Sequence, residues 1–235
     1  MQMIKKLKRL FIYCSLFIVH CSLIYACRSK GDKPAGYQQT EQTESKQSND
    51  NSADYSNKER LIWQKPEMVI TRLGDMANKT IVDLGAGSGF FSFRIIPKAK
   101  KVIALDIDKR FINFMDSLKK DLPRNLVDRF ETRLVEPDNA HLKPGEANAV
   151  IIVNTYMYIN DRVNYMHRLK TGISKGGTVL IVDYKENELP VGPSADIKLS
   201  MGTVQRELKQ AGFTNIVSDD TSLKYQYIIT AENEK

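Results

Sequence analysis

The chain has only three cysteines, Cys14, Cys21 and Cys27, and all fall in its first 27 residues. The remainder therefore has no disulfide framework, no cysteine-bound metal and no thiol nucleophile. No metal-ligating set is assigned. Residues 28–56 have almost no aliphatic side chains. They are rich in Gln, Ser, Thr, Asn, Asp, Glu and Lys. Such a segment cannot bury enough apolar surface to offset its ordering entropy, so 28–56 is expected to be a disordered polar linker. There is no internal repeat and no basic stripe interleaved with aromatics. The formal net charge of +7 falls to +3 once Lys5, Lys6, Lys8 and Arg9 are set aside. The basic balance thus gives little support for a nucleic-acid partner.

Those four cations open residues 1–27. A largely apolar run, 10–25, follows them, and then Ala26-Cys27. A basic start, a short apolar stretch and a small residue before the cut describe a secretory signal. Leu23-Ile24-Tyr25-Ala26-Cys27 resembles a bacterial lipobox, which would make Cys27 a lipidated first residue and attach the protein to the membrane. The alternative is an uncleaved inner-membrane anchor with the domain in the cytoplasm.

The informative motif lies further on. Ile81-Val82-Asp83-Leu84 is an apolar run containing an acid. It leads into Gly85-Ala86-Gly87-Ser88-Gly89 and then Phe90-Phe91. A second run, Val102-Ile103-Ala104-Leu105, ends at Asp106, about 20 residues after the first glycine, which is the spacing of a βαβ nucleotide site. A dinucleotide turn reads G-x-G-x-x-G. Here Phe90 occupies the place of its third glycine. Asp83 would also oppose an anionic pyrophosphate at the helix N-terminus. It suits a ligand carrying an amino group, such as S-adenosylmethionine (SAM), and Asp106 can accept hydrogen bonds from ribose hydroxyls.

The rest of 57–235 alternates strands and helices. Helices are expected over 58–63 and 67–73, the second opened by Pro66, and then over 89–96 and 110–120. In 110–120 the Phe and Met residues read as core. Two more are expected, after Asp161 and after Ser200, each a candidate cap. Strands are expected at 80–84, 101–105, 130–135, 149–153 and 178–182, with a turn at Lys175-Gly176-Gly177 before the last. A final pair, 213–217 and 225–230, should form an antiparallel hairpin. This order implies an α/β fold, a Rossmann-like doubly wound and mostly parallel sheet. Ligands bind such sheets outside the carboxyl ends of the strands.

The segment from about residue 58 to 230 resembles the class I SAM-dependent methyltransferases. Asp83-Leu84-Gly85-Ala86-Gly87-Ser88-Gly89 is similar to their first motif, Asp106 to their ribose-binding acid, and Lys175-Gly176-Gly177-Thr178 to the lead-in of their fifth strand. The resemblance implies a seven-stranded sheet and a methyltransferase using SAM. It assigns Asp83, Gly85, Ala86, Gly87 and Gly89 to the methionyl end and Asp106 with Ile107 to the ribose. Asp138, in Glu136-Pro137-Asp138-Asn139, falls near the adenine, and Asn154 completes the set. Trp63-Gln64-Lys65-Pro66-Glu67 and Leu189-Pro190-Val191-Gly192-Pro193 resemble a small bacterial group within the family. There the fourth strand ends Asn-Thr-Tyr-His-His, where this chain has Asn154-Thr155-Tyr156-Met157-Tyr158. No histidine base is expected at that rim, and Tyr156, Tyr158 and Asp183 are the candidates for positioning a small-molecule acceptor. Two other readings stay open, a SAM-binding lipoprotein module without turnover and a nicotinamide oxidoreductase.

Overall fold

The computed structural model describes residues 57–234. The leader and linker expectations, 1–27 and 28–56, lie outside the described residues. Seven strands form one sheet, β1 (Thr80–Leu84), β2 (Lys101–Asp106), β3 (Phe130–Leu134), β4 (Ala147–Val153), β5 (Ile173–Tyr184), β6 (Thr214–Asp219) and β7 (Gln226–Asn233). Their order is β3-β2-β1-β4-β5-β7-β6. The first five are parallel, and β7 runs antiparallel to both β5 and β6. The helices are α1 (Asn57–Gln64), α2 (Pro66–Thr71), α3 (Ser92–Ile95), α4 (Lys109–Lys119), α5 (Arg124–Val127), α6 (Arg162–Thr171) and α7 (Met201–Gln210). Among the described residues no helix is long and apolar enough to cross a membrane.

Two-residue alternation sends neighbouring side chains to opposite faces of each strand. Ile81, Val102 and Ile151 join Val69, Ile70, Ile95 and Met115 in one core layer. Val82, Ile103 and Ile152 join Met166, Leu169, Val204 and Leu208 in the other. Both faces of the parallel strands are covered, so these strands read as nearly unbroken apolar runs. Burying each such leucine or isoleucine contributes roughly 1.5–3 kcal/mol.

Four local expectations differ from the fold. The helix after the glycine turn shrinks from 89–96 to the four residues of α3, because a tight turn occupies Gly89 to Phe91 and Pro97 follows. β5 begins at Ile173 and runs through Lys175-Gly176-Gly177, which forms a bulge in the β4 pairing and no separate turn. On α4 the buried residues are Ile112 and Met115, while Phe111 and Phe114 stay exposed. Of the two expected caps, Ser200 accepts from the Thr203 N–H, whereas Asp161 has φ 47° and no capping bond. Its carboxylate accepts from Asn164 Nδ2 instead.

Candidate active site

The order in which strands are added reverses between the parallel neighbours β1 and β4. β1 leads outward to β2 and β3, and β4 leads the other way to β5. The crevice at such a switch point is the default ligand site of an open α/β sheet. Here it is bordered by the turn after β1 and by Asn154-Thr155 after β4.

The turn is held by the end of β2. Gly85 and Ala86 donate to the Leu105 carbonyl at 2.9 and 3.0 Å, and the Gly87 N–H donates to Asp106 Oδ2 at 2.7 Å. Gly85 has φ +75°, and a Cβ there would fall inside the Thr155 side chain. Glycine is thus required both by conformation and by the close approach of β4's exit. Gly87 also has positive φ, but a Cβ there would meet nothing within 4 Å. The backbone at Gly87 borders open space.

That space is a cleft of about 310 Å3. Leu84, Leu105, Val135 and Ile159 line it, Ile107, Phe111 and Tyr158 stand at its edge, and Asp106 and Glu136 are its acids. Ile107 is 60 % exposed, Phe111 41 % and Tyr158 58 %. Exposed apolar side chains around a concave site are what a planar ligand would cover. Asp106 is nearly buried and also accepts from the Asp108 N–H at 2.9 Å. Below the turn, Asp83 accepts from Ser92 Oγ at 2.6 Å and is 3 % exposed. Burial raises its carboxyl from 3.8 to about 6, against the bonds from Ser92.

Gly85, Gly87, Asp106, Ile107 and Tyr158 therefore share the cleft wall. The other assigned residues sit elsewhere. Asp83, Ala86 and Gly89 support the turn from beneath. Asn154 lies behind Thr155 with φ 56°, its Oδ1 accepting from Gln226. Asp138 is turned outward by the backbone pairing of Glu136 with Asn139, so Glu136 and Pro137 line the cleft in its place. Tyr156 is not at the rim. It is fully buried on the α7 side, and its hydroxyl donates to Glu207 Oε2 at 2.9 Å, beside the Arg162–Glu207 ion pair. Asp183 is also internal, accepting from the N–H groups of Met157 (3.2 Å) and Tyr184 (2.9 Å). Burial raises its carboxyl from 3.8 to about 7. It braces the 3-10 turn Tyr156–Tyr158, and through it Tyr158. Sequence reasoning missed Phe111 and Tyr165 of the wall. Asp108 was the available signal for Phe111, since a cap there puts Phe111 in the first turn of α4, next to the end of β2.

Residues 75–232 match a family model described as a methyltransferase domain. The chain belongs to the methyltransferase-domain family. Its fold is shared by solved SAM-dependent methyltransferases, one of them in complex with SAM. The open backbone at Gly87, the apolar edge and the two acids fit that group. A SAM-dependent methyltransferase from Aquifex aeolicus superposes with a TM-score of 0.66 at 22 % identity, covering 73 % of this chain and 91 % of that one. Phosphoethanolamine N-methyltransferase 2 of Haemonchus contortus, in complex with SAM, gives 0.62 at 12 % identity, covering 74 % and 53 %. Among curated proteins, the tRNA U34 carboxymethyltransferase of Actinobacillus succinogenes is 25 % identical over 167 residues, which is 66 % of this chain and 50 % of the relative. The chain spans about half the length of the curated relatives it matches. A nicotinamide oxidoreductase falls outside this methyltransferase family.

Proposed function

We propose that the protein transfers the methyl group of SAM to a small-molecule acceptor. The observation that carries this reading is a second cavity of about 540 Å3, separate in its lining from the cleft at the glycine turn and formed in part by Ile62, Trp63, Lys65, Val191, Lys224 and Tyr225. Trp63 packs on Tyr184, at the end of β5, and on Tyr225. Its Nε1 is the one buried side-chain donor without a partner among the described residues. A buried N–H left unmatched is costly, so an acceptor offering it an oxygen would gain specificity there. When bound, SAM supplies an electrophilic methyl on sulfur. The chain's own contribution is alignment, which can supply up to roughly 7–11 kcal/mol of a barrier. Asp106 and the Gly85–Gly87 backbone fix the nucleoside, Asp83 favours the ammonium, and Tyr158 faces the acceptor side of the cleft.

The names of the curated relatives support a second reading, with a tRNA base as acceptor. Methyl-labelled SAM incubated with the full-length protein separates the two. Label is expected in the small-molecule fraction of a cell extract and not in total tRNA. Label in tRNA alone would replace this reading with the second. Tight SAM binding with label in neither would leave a binding module without turnover.

We also propose that Cys27 attaches the domain to a membrane. Fractionation should find the wild type with the membranes and Cys27→Ala unprocessed. Identical processing and retention of the two would remove lipidation and favour the uncleaved anchor.

A further inference from the structure

The charge and the wall of the cavity beside Trp63 narrow what it can hold. Three separate segments build it. They are the end of α1, the loop after β5 at Pro190-Val191, and Lys224-Tyr225 just before β7. Ile62, Trp63, Val191 and Tyr225 give it apolar surface, and Ile62 is left 75 % exposed. No residue of the lining carries a side-chain amide to read a polar ligand's edge. Its charged members are two lysines, Lys65 and Lys224, and one carboxylate, Glu59. Among the described residues neither lysine has an ion pair.

Both ammonium groups are held in place. Lys65 makes the bend between α1 and α2 with φ 46° and ψ 58°, a left-handed conformation that glycine would adopt at less cost. A side chain is kept there all the same, and its Nζ donates to the Ser222 carbonyl at 3.0 Å, two residues before Lys224. The Lys224 ammonium stands 4.9 Å from the centroid of the Tyr225 ring. Ordering two long side chains is what makes most exposed ion pairs weak, and here part of that cost is met before a ligand arrives. The same arrangement opposes a cationic ligand, because the Tyr225 ring already serves an ammonium. Trp63 and Tyr225 also belong to one apolar cluster with Met157, Tyr184 and Val191. Met157 directly precedes Tyr158 of the cleft edge, so this cluster packs between the cavity and the glycine-turn cleft.

We propose that this cavity binds molecules that join an anionic group to an apolar body of about ring size, and that the methyl acceptor is one of them; the second half rests on the reading of the cavity as the acceptor site. The apolar body packs on the Trp63, Val191 and Tyr225 side, and the anion takes the two lysines that the chain leaves without a carboxylate. Burying ring-sized apolar surface supplies the attraction, and the lysines choose the sign of the charge. Trp63 is the only tryptophan of the chain, so its fluorescence reports on this cavity alone.

The test titrates the full-length protein with 3-phenylpropanoate, 3-phenylpropanamide and 3-phenylpropylammonium, which share one body and differ in charge, and follows Trp63 emission. The carboxylate is expected to bind about 5- to 10-fold more tightly than the amide, the scale of two partly ordered ion pairs, and the ammonium most weakly. Added salt should shrink that advantage. Lys65→Gln and Lys224→Gln should each remove part of it, and the double variant should bring the carboxylate down to the amide while leaving the amide unchanged. Equal affinity of wild type for carboxylate and amide overturns the proposal without using a variant, so a poorly folded variant cannot protect it. No change in emission with any of the three also overturns it. Tighter binding of uridine monophosphate than of the carboxylate overturns it too, since that assigns the cavity to a polar nucleotide. The acceptor reading is tested separately, because saturating 3-phenylpropanoate should block transfer of methyl label to the small-molecule fraction of an extract. Binding with the carboxylate preference and undiminished transfer would uphold the anion site and remove the acceptor from this cavity.

Discussion

Replacing Asp106 by alanine is expected to weaken SAM binding about 100-fold while leaving the protein folded. Two of the carboxylate's acceptor positions are already committed, one to the Gly87 N–H and one to the Asp108 N–H. An ionised carboxylate has about four such positions, so two remain for the two ribose hydroxyls. Hydrogen bonds to a charged group are worth roughly 1.5–3 kcal/mol each, and about 1.4 kcal/mol is tenfold in affinity. Losing both gives the expected factor. The bond to Gly87 adds a second route to the same outcome, because it pins the turn whose open backbone borders the cleft. Asp106→Asn separates the two routes. The amide keeps one oxygen acceptor, so its loss should be nearer tenfold if the ribose contacts dominate. Titration calorimetry with SAM measures both variants, and thermal unfolding checks the fold. An unchanged affinity for Asp106→Ala would remove the nucleoside from this cleft.

The glycine-turn side of this cleft was legible in the sequence because its constraints are local. Gly85 needs positive φ, Asp106 ends an apolar run, and their separation follows from one βαβ unit; each is visible within about 25 residues. The β-strands were legible for a similar reason, since strands buried on both faces are unbroken apolar runs. What failed was long-range. Tyr156 looked like a rim residue because it follows β4, but its partner Glu207 lies 51 positions later on α7 and draws the hydroxyl into the core. Asp138 looked like the adenine contact, but the Glu136–Asn139 pairing decides which residue of that loop faces the cleft.

SAM affinity and the stability of the ligand-free protein should change in opposite directions with pH, through the same carboxyl. Burial holds the Asp83 carboxyl near 6, above its ordinary 3.8, and the bond from Ser92 only partly offsets this. A carboxyl whose folded pKa is raised binds its proton more tightly when folded. Its contribution to stability is therefore most favourable below about pH 4 and is lost as pH rises through about 6. Asp183, raised to about 7 by the same cause, adds to the trend over a slightly wider window. At one pKa unit per 1.36 kcal/mol, Asp83 alone accounts for about 3 kcal/mol between those limits. The cofactor's ammonium reverses the preference at Asp83, because it is matched by the ionised form only. Between pH 7 and pH 5 the SAM dissociation constant should accordingly rise about tenfold, following the ionised fraction of a group titrating near 6. Binding at pH 5.5 should release a proton, seen as a dependence of the calorimetric enthalpy on the buffer's ionisation heat. Asp83→Asn cannot ionise, so its affinity should be weak and flat across this range, and the proton release should vanish. A wild-type dissociation constant that stays level from pH 7 to pH 5, with no buffer dependence, would place the ammonium elsewhere and leave Asp83 as support for Ser92 and the turn.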